Sequence, residues 1–318
     1  MKLTLICGRE ILILKVCPGG KKHMFLDYLI AKKGRQKFID ACIKTDTERM
    51  KGDIYPEDVK VIKDIPYRDD KKEEHLLDIY LPEGYSFEAD EKKTAFLLMH
   101  GGALVYGFKE LDKAFGMKLA KVSGIPVFNM NYTLLPGGDL KNLLGEIVSV
   151  IDFMSREKKI EKIHTIGDSS GGYLALMVAM IIRDENIGKD LDISFEKEIR
   201  CLSSNMVCGS TKVFRRAFPG IYFEGKKKVL PDYIYDLTLL TERDTFPYCN
   251  FMSGDRDFLD KDNNLLSEKL KALGKPHSYE FFNTASEERV MYHVFAIAHP
   301  EWPESDKYIS TVAEYANS

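Results

Sequence analysis

The stretch that decides the fold is Ile163-His164-Thr165-Ile166-Gly167-Asp168-Ser169-Ser170-Gly171-Gly172, followed by an apolar run from Tyr173 to Ile182 that Arg183 closes. Ile163–Ile166 has the length of a strand, and Gly172–Arg183 has the length and composition of a buried helix. Between them lies Gly-x-Ser-x-Gly. Its centre is Ser169, because a motif centred on Ser170 would need glycine at position 168, which is Asp. Glycines flank a serine on such a turn because side chains there would strike neighbouring backbone, and the helix N-terminus beneath offers N–H groups to a developing anion. The reading is a nucleophile elbow with Ser169 as the nucleophile.

Outward from the elbow, short apolar segments alternate with longer windows of helical spacing. Strands are expected at Thr94–Met99, Val127–Asn131, Leu202–Cys208, Tyr248–Met252 and Ser278–Phe282. Helices are expected at Lys109–Val122, Leu140–Met154 and Asp260–Leu273. This alternation implies parallel pairing with right-handed crossovers, hence a mostly parallel, doubly wound α/β sheet of about eight strands with helices on both faces. Ligands of such sheets bind beyond the carboxyl ends of the strands. Val59–Ile62 and His75–Leu81, separated by the charged stretch Arg68–Glu74, read as an antiparallel hairpin or edge. Residues 24–50 carry apolar clusters at helical spacing (Phe25, Tyr28, Leu29; Phe38, Ile39, Cys42, Ile43) and read as one or two amphipathic helices. Gly209 to Pro247 is too long for a simple crossover. It reads as an inserted cap beside the N-terminal helices, with Arg215, Arg216 and Lys226–Lys228 as a solvated basic face.

Composition narrows the function classes. The 318 residues carry 46 Lys+Arg against 49 Asp+Glu, a net charge of −3, with 44% hydrophobic and 30% charged residues. That is a globular composition, without the low hydrophobicity of a disordered chain or the basic excess of a nucleic-acid binder. The ten-residue run Tyr173–Ile182 falls short of the ~20 residues a bilayer span needs. Arg9 and Glu10 interrupt the two N-terminal apolar bursts, Leu3–Cys7 and Ile11–Leu14, so a secretory signal is not expected and Met24 is a candidate initiator. Six cysteines (Cys7, Cys17, Cys42, Cys201, Cys208, Cys249) without a Cys-x-x-Cys pair suit small hydrophobes in a reducing, cytoplasmic compartment.

A serine nucleophile needs a base, and the base needs a carboxylate, in chain order Ser, Asp/Glu, His for this topology. Of His23, His75, His100, His164, His277, His293 and His299, order removes the first four. His277 begins a strand and so lies at the wrong end of the sheet. His299 directly precedes Pro300. His293 follows the last strand after a loop at the correct edge and is the expected base. The strand Tyr248–Met252 runs into Asp255 and Asp257, which position alone does not separate, whereas Asp260 and Asp262 suit capping of the next helix. His100-Gly101-Gly102-Ala103, after the strand Thr94–Met99, is a loop of small residues able to aim backbone N–H groups at the same site.

Together these motifs resemble the hormone-sensitive-lipase-like (acetyl esterase type) family of the α/β-hydrolase fold, over about residues 75–315. The family's His-Gly-Gly-Gly loop is matched by His100–Ala103. Its Gly-Asp-Ser-Ala-Gly-Gly elbow is matched by Gly167–Gly172, with Ser170 where alanine is usual. Its Asp-Pro-Leu-x-Asp run is partly matched by Asp257-Phe258-Leu259-Asp260-Lys261, which favours Asp257 over Asp255. Tyr132-Thr133-Leu134-Leu135-Pro136, His293-Val294-Phe295 and Pro300-Glu301 resemble further family stretches. The resemblance implies Ser169, Asp257 and His293 as catalytic residues, with oxyanion donors among Gly101, Gly102, Ala103 and Ser170. Ala103 stands where the family has a third glycine, at a cost of about 1 kcal/mol if φ there is positive.

The implied protein is a serine carboxylesterase for short-chain acyl (acetyl-type) esters, with a small-molecule ester as its partner and a homodimer as an assembly to be tested. No metal or organic cofactor is implied, since His-Glu-x-x-His and phosphate-loop motifs are missing from the sequence. Residues 1–58 would be a helical cap segment and 59–318 the catalytic domain, with a cap insertion at about 209–247. Phe25, Tyr28, Phe214, Tyr222 and Phe223 would suit an acyl or aryl group. Two alternatives share the scaffold: an exopeptidase or amidase, with Arg215–Arg216 recognising a terminus, and a non-catalytic ligand-binding module.

Overall fold

The computed structural model describes residues 2–7, 10–15, 24–135, 137–196, 198–213 and 231–318, with side chains from residue 33 onward. Its centre is an eight-stranded sheet in the order β10-β9-β8-β7-β5-β6-β4-β3. The strands are β3 (Lys60–Pro66), β4 (Leu76–Leu81), β5 (Thr94–Met99), β6 (Val127–Met130), β7 (Lys162–Asp168), β8 (Arg200–Val207), β9 (Tyr248–Gly254) and β10 (His277–Phe282). All neighbours pair in parallel except β4, which runs antiparallel to both β3 and β6. The expected hairpin at the edge is therefore present. Two further strands, β1 (Lys2–Cys7) and β2 (Glu10–Lys15), form a separate antiparallel hairpin where the sequence showed only apolar bursts, so the segment 1–58 is not purely helical. The helix that follows, α1 (Met24–Arg49), is a single one.

Period-two alternation divides the buried strand residues between two cores. Leu77, Ile79, Ala95, Leu97 and Met99 pack with α3 (Leu140–Lys158) and α4 (Ser170–Arg183). Tyr80, Phe96, Leu98 and Ile166 pack on the other face with α2 (Lys113–Ser123) and α8 (Pro303–Asn317). The helices begin and end where local chemistry dictates. Asp139 accepts the Asn142 N–H at 2.8 Å to cap α3, and α2 ends on left-handed Gly124.

Five helices depart from the sequence expectation. Lys109–Asp112 is a 3₁₀ turn, so α2 starts only at Lys113. Two short helices, α5 (Glu185–Leu191) and α7 (Phe295–Ala298), and the terminal α8 were not anticipated. The helix α6 (Asp260–Ala272) has Leu259 at its N-cap with no side-chain cap. Asp260 and Asp262 thus occupy its first turn, where they complement the helix dipole instead of capping it. Of the long stretch 209–247, the described part holds an isolated bridge between Lys212 and Asp236 and two 3₁₀ turns, Asp232–Ile234 and Leu237–Leu240. Phe214, Arg215, Arg216, Tyr222, Phe223 and Lys226–Lys228, with the side chains of Phe25 and Tyr28, lie outside the described residues.

Sheet register aligns the strand ends that matter. Met99 pairs with Gly167, Asp168 with Val207, Val207 with Met252 and Phe282 with Gly254. The loops after β5, β7, β8, β9 and β10 consequently emerge in one row along the carboxyl edge.

Candidate active site

Ser169 sits between β7 and α4 with φ 50° and ψ −117°, a backbone region an L-residue adopts only when its surroundings impose it. Three hydrogen bonds do so: Ser169 N–H donates to Val207 O at 3.0 Å, and Ser169 O accepts from Gly172 N at 3.2 Å and Ser210 N at 2.7 Å. The flanking glycines are required by close approach. A Cβ on Gly171 would strike the carbonyl oxygens of Met99 and His100, and one on Gly167 would strike the backbone of Gly171.

His293 lies in the loop between β10 and α7, and the fold carries its imidazole over the elbow. Nε2 is 2.9 Å from Ser169 Oγ and Nδ1 is 2.7 Å from Asp257 Oδ1. Asp257 is buried between the end of β9 and α6. Its Oδ2 accepts from Ser253 Oγ at 2.6 Å and its Oδ1 from Leu259 N at 3.0 Å. Burial alone would raise its pKa, but the nearby His293 and these donors outweigh burial and hold the carboxyl below the ordinary range. Asp255 is directed elsewhere, accepting Thr284 N–H at 3.1 Å and Thr284 O–H at 2.6 Å. The eliminated histidines are likewise occupied: His277 bonds Ser267 Oγ, and His299 stacks on Trp302 at 4.0 Å beside Glu301.

Two neighbours of this constellation were not anticipated. Ser253 donates to Asp257, and its position directly after the apolar part of β9 was the available signal. Cys208 Sγ and ligand atoms of Asp257 and His293 lie within 4.8 Å of one another, the one such metal-competent cluster among the described residues. Burial, reinforced by the nearby Asp257 carboxylate, pushes the Cys208 thiol well up, so it stays protonated. With Asp257 and His293 already bonded to each other, this set supports the imidazole.

The loop after β5 faces the same cavity. Gly102, Ala103 and Leu104 have φ values of 104°, 56° and 63°, so Ala103 does hold the strained conformation that glycine would relieve. Val105 and Tyr106 N–H groups donate to Gly102 O, and Leu104 N–H donates to Ser170 Oγ at 3.2 Å. His100 anchors the turn: Nδ1 donates to Gly101 O at 2.8 Å, the ring stacks on Tyr132 at 4.2 Å, and Tyr132 O–H donates to His100 O at 2.7 Å. Burial lowers the His100 pKa to about 4, so this imidazole is neutral. The N–H groups of Gly102, Ala103 and Ser170 have no intramolecular acceptor among the described residues. The Gly101 N–H instead faces the Asp168 carboxylate.

Gly101, Gly102, Ala103, Ser169, Ser170 and His293 all line one cavity of about 630 Å³. α1 contributes Phe38, Cys42 and Arg49 to its wall, and Ser210, Lys212 and Val213 contribute from the stretch after β8. The ring of Phe258 sits 4.2 Å from the His293 ring.

This sheet, with a serine on the turn after its fifth strand, defines the chain as an α/β-hydrolase fold. The family model of that description matches residues 96–202. The sequence is 27% identical over 220 residues to an acetyl esterase of Salmonella paratyphi B, covering 62% of this chain and 65% of that protein. An acetyl esterase of Salmonella paratyphi A is similar to the same degree over 217 residues. The chain thus spans about 65% of the length of the curated relatives it matches. Among solved structures, esterase B from Lactobacillus rhamnosis superposes with a TM-score of 0.81 at 20% identity, over 92% of this chain and 96% of that one. A hyperthermophilic esterase from the archaeon Pyrobaculum calidifontis superposes at 0.64, also at 20% identity, over 90% of each chain. No helix among the described residues is long and apolar enough to cross a membrane.

Proposed function

We propose that this chain is a serine carboxylesterase acting on short-chain acyl esters. The observation that carries the reading is the pair of hydrogen bonds made by one imidazole, to Ser169 Oγ through Nε2 and to Asp257 Oδ1 through Nδ1. Ser169 attacks the ester carbonyl while His293 Nε2 takes its proton. Asp257 fixes the tautomer that leaves Nε2 free to accept and stabilises the imidazolium that forms. The oxyanion is received by the N–H groups of Gly102, Ala103 and Ser170, with Gly101 supporting the loop. One such donor is typically worth ~10²–10³ in rate. His293 then protonates the leaving alcohol, and water repeats the sequence on the acyl-enzyme. The names of the curated relatives support an acetyl-type acyl group. α1 and the chain directly after β8 shape the acyl pocket, which the contributions of Phe38, Arg49 and Val213 to the cavity wall support.

The test is hydrolysis of p-nitrophenyl esters with acyl chains from acetate to laurate by the wild type and Ser169→Ala. Turnover fastest on the shortest chains, and lost in the variant, is the expected result. A folded wild type without turnover, or a Ser169→Ala variant that keeps it, would overturn the reading.

A further inference from the structure

Directly beneath the loop after β5 lie two acids that this mechanism leaves unused. Asp168 precedes the serine and Asp112 precedes α2, and both are buried, at 6% and 1% exposure. Asp112 occupies the N-cap of α2 yet makes no capping bond with its side chain. Both line the cavity, and each keeps one buried carboxyl oxygen without a conventional donor: Oδ2 of Asp112 and Oδ1 of Asp168. The two carboxyls face one another at interaction distance, and a hydrogen bond between two carboxyl groups requires a proton on one of them.

The surroundings do not neutralise two negative charges. From α1, Arg49 faces Asp112 and favours its charged form; its guanidinium also donates to Leu111 O at 3.1 Å and Asp46 at 3.3 Å and lies 3.6 Å from Asp53, while Nη1 makes no hydrogen bond. Asp46 adds a further negative charge from the same helix. Tyr132 packs nearby with its hydroxyl already donated to His100 O. On the far side, His293 and the Gly101 N–H face Asp168.

We propose that Asp112 and Asp168 form an acid–carboxylate pair holding one shared proton, and that this pair positions the oxyanion loop and the His293 imidazole. Asp112 carries the proton and donates it to Asp168. The single charge left on Asp168 receives the Gly101 N–H, fixing the start of the loop, and stands as a second anion facing His293 besides Asp257. Burial raises the proton affinity of both carboxyls, first and most strongly, and their mutual repulsion raises that of Asp112 further. The chain thus runs a buried acid behind the nucleophile at neutral pH, with one proton retained by geometry. The part concerning His293 rests on the catalytic reading of Ser169 and His293; the shared proton does not.

Infrared spectroscopy of the folded protein in ²H₂O near pH 7 reads the proton directly. The expected result is one protonated-carboxyl C=O stretch in the wild type that is absent in Asp112→Asn, which removes the residue that carries the proton. A folded wild type without that band has both acids ionised, and the proposal fails whether or not the protein hydrolyses esters. The positioning role is read from pH profiles of kcat/KM. Asp168→Asn should shift the acid limb to lower pH, because a neutral amide no longer favours the imidazolium. Asp112→Asn, whose amide N–H can still donate to Asp168, should keep at least about tenfold more activity than Asp112→Leu. An unmoved acid limb, or equal losses in the two Asp112 variants, would reduce the pair to packing and overturn the positioning claim.

Discussion

His293 Nε2 lies 2.9 Å from Ser169 Oγ, although the two residues belong to opposite ends of the catalytic sheet's second half. The register that pairs Asp168 with Val207, Val207 with Met252 and Phe282 with Gly254 brings their strand ends into one row. The contact is a consequence of sheet order, and its value to the protein depends on the carboxylate behind it.

Replacing that carboxylate tests the dependence. Asp257→Asn keeps the volume and an acceptor toward Leu259 N–H but removes the charge facing Nδ1 and stabilises the wrong tautomer. Steady-state kinetics should show kcat reduced by about 10⁴-fold with KM little altered. A loss below tenfold would mean that His293 does not rely on Asp257.

Gly171 tests the close approach under the elbow. A Cβ there meets the backbone carbonyls of Met99 and His100, which cannot rotate away as a flexible side chain could. Urea denaturation of Gly171→Ala should show a loss of roughly 1–3 kcal/mol or more, the range for overpacking a close-packed interior.

Ala103 makes the opposite case. With φ 56° it holds a left-handed conformation that costs an L-residue about 1–2 kcal/mol, so glycine recovers most of that while adding unfolded-chain entropy. Ala103→Gly should leave stability unchanged or raise it by up to about 1 kcal/mol. The same exchange at Ala175, inside α4, should lower it by at least about 1 kcal/mol. Equal losses at both positions would show that Ala103 is not strained.

His164 makes a prediction about pH. It is buried in β7 with Nδ1 on Ser203 Oγ at 2.8 Å, and burial lowers its pKa from 6.5 to about 4. Between those values the unfolded chain binds the proton and the folded chain does not. Stability from this group is therefore fully present above about 6.5 and falls as pH drops toward 4, by up to roughly 3 kcal/mol at the limit. Comparing chemical denaturation of wild type and His164→Gln, the wild type should lose its advantage as pH falls from about 7 to 5. A constant difference across that range would contradict the buried neutral imidazole.

Much of this molecule was legible because its signals are local. Thr94–Met99 reads as a strand because all six residues are buried between helices on both faces, so the run is continuously apolar. The Ser169 elbow and the His100 loop announce themselves through glycines that backbone contacts require. Chain order then isolates His293 without knowledge of any distance. Asp257 and Asp255 were inseparable from position alone, because both follow the same strand, and it is the turn of Gly254–Leu259 that directs one to His293 and the other to Thr284. α5 escaped because seven residues give too little periodicity, although Asp184 accepting from Asn186 N–H is an ordinary capping signal. Nothing in residue spacing could join Asp112 to Asp168, since their meeting depends on how the loop after β5 folds over the elbow.

The most direct test of the central claim is to treat the folded protein with a p-nitrophenyl alkylphosphonate and locate the adduct by peptide mass spectrometry. The account predicts one phosphonyl group per chain, on Ser169 Oγ, with ester hydrolysis lost in proportion to incorporation and labelling much slower in His293→Ala. Labelling of another residue with Ser169 unmodified, or no adduct on the folded wild type, would contradict Ser169 as the nucleophile.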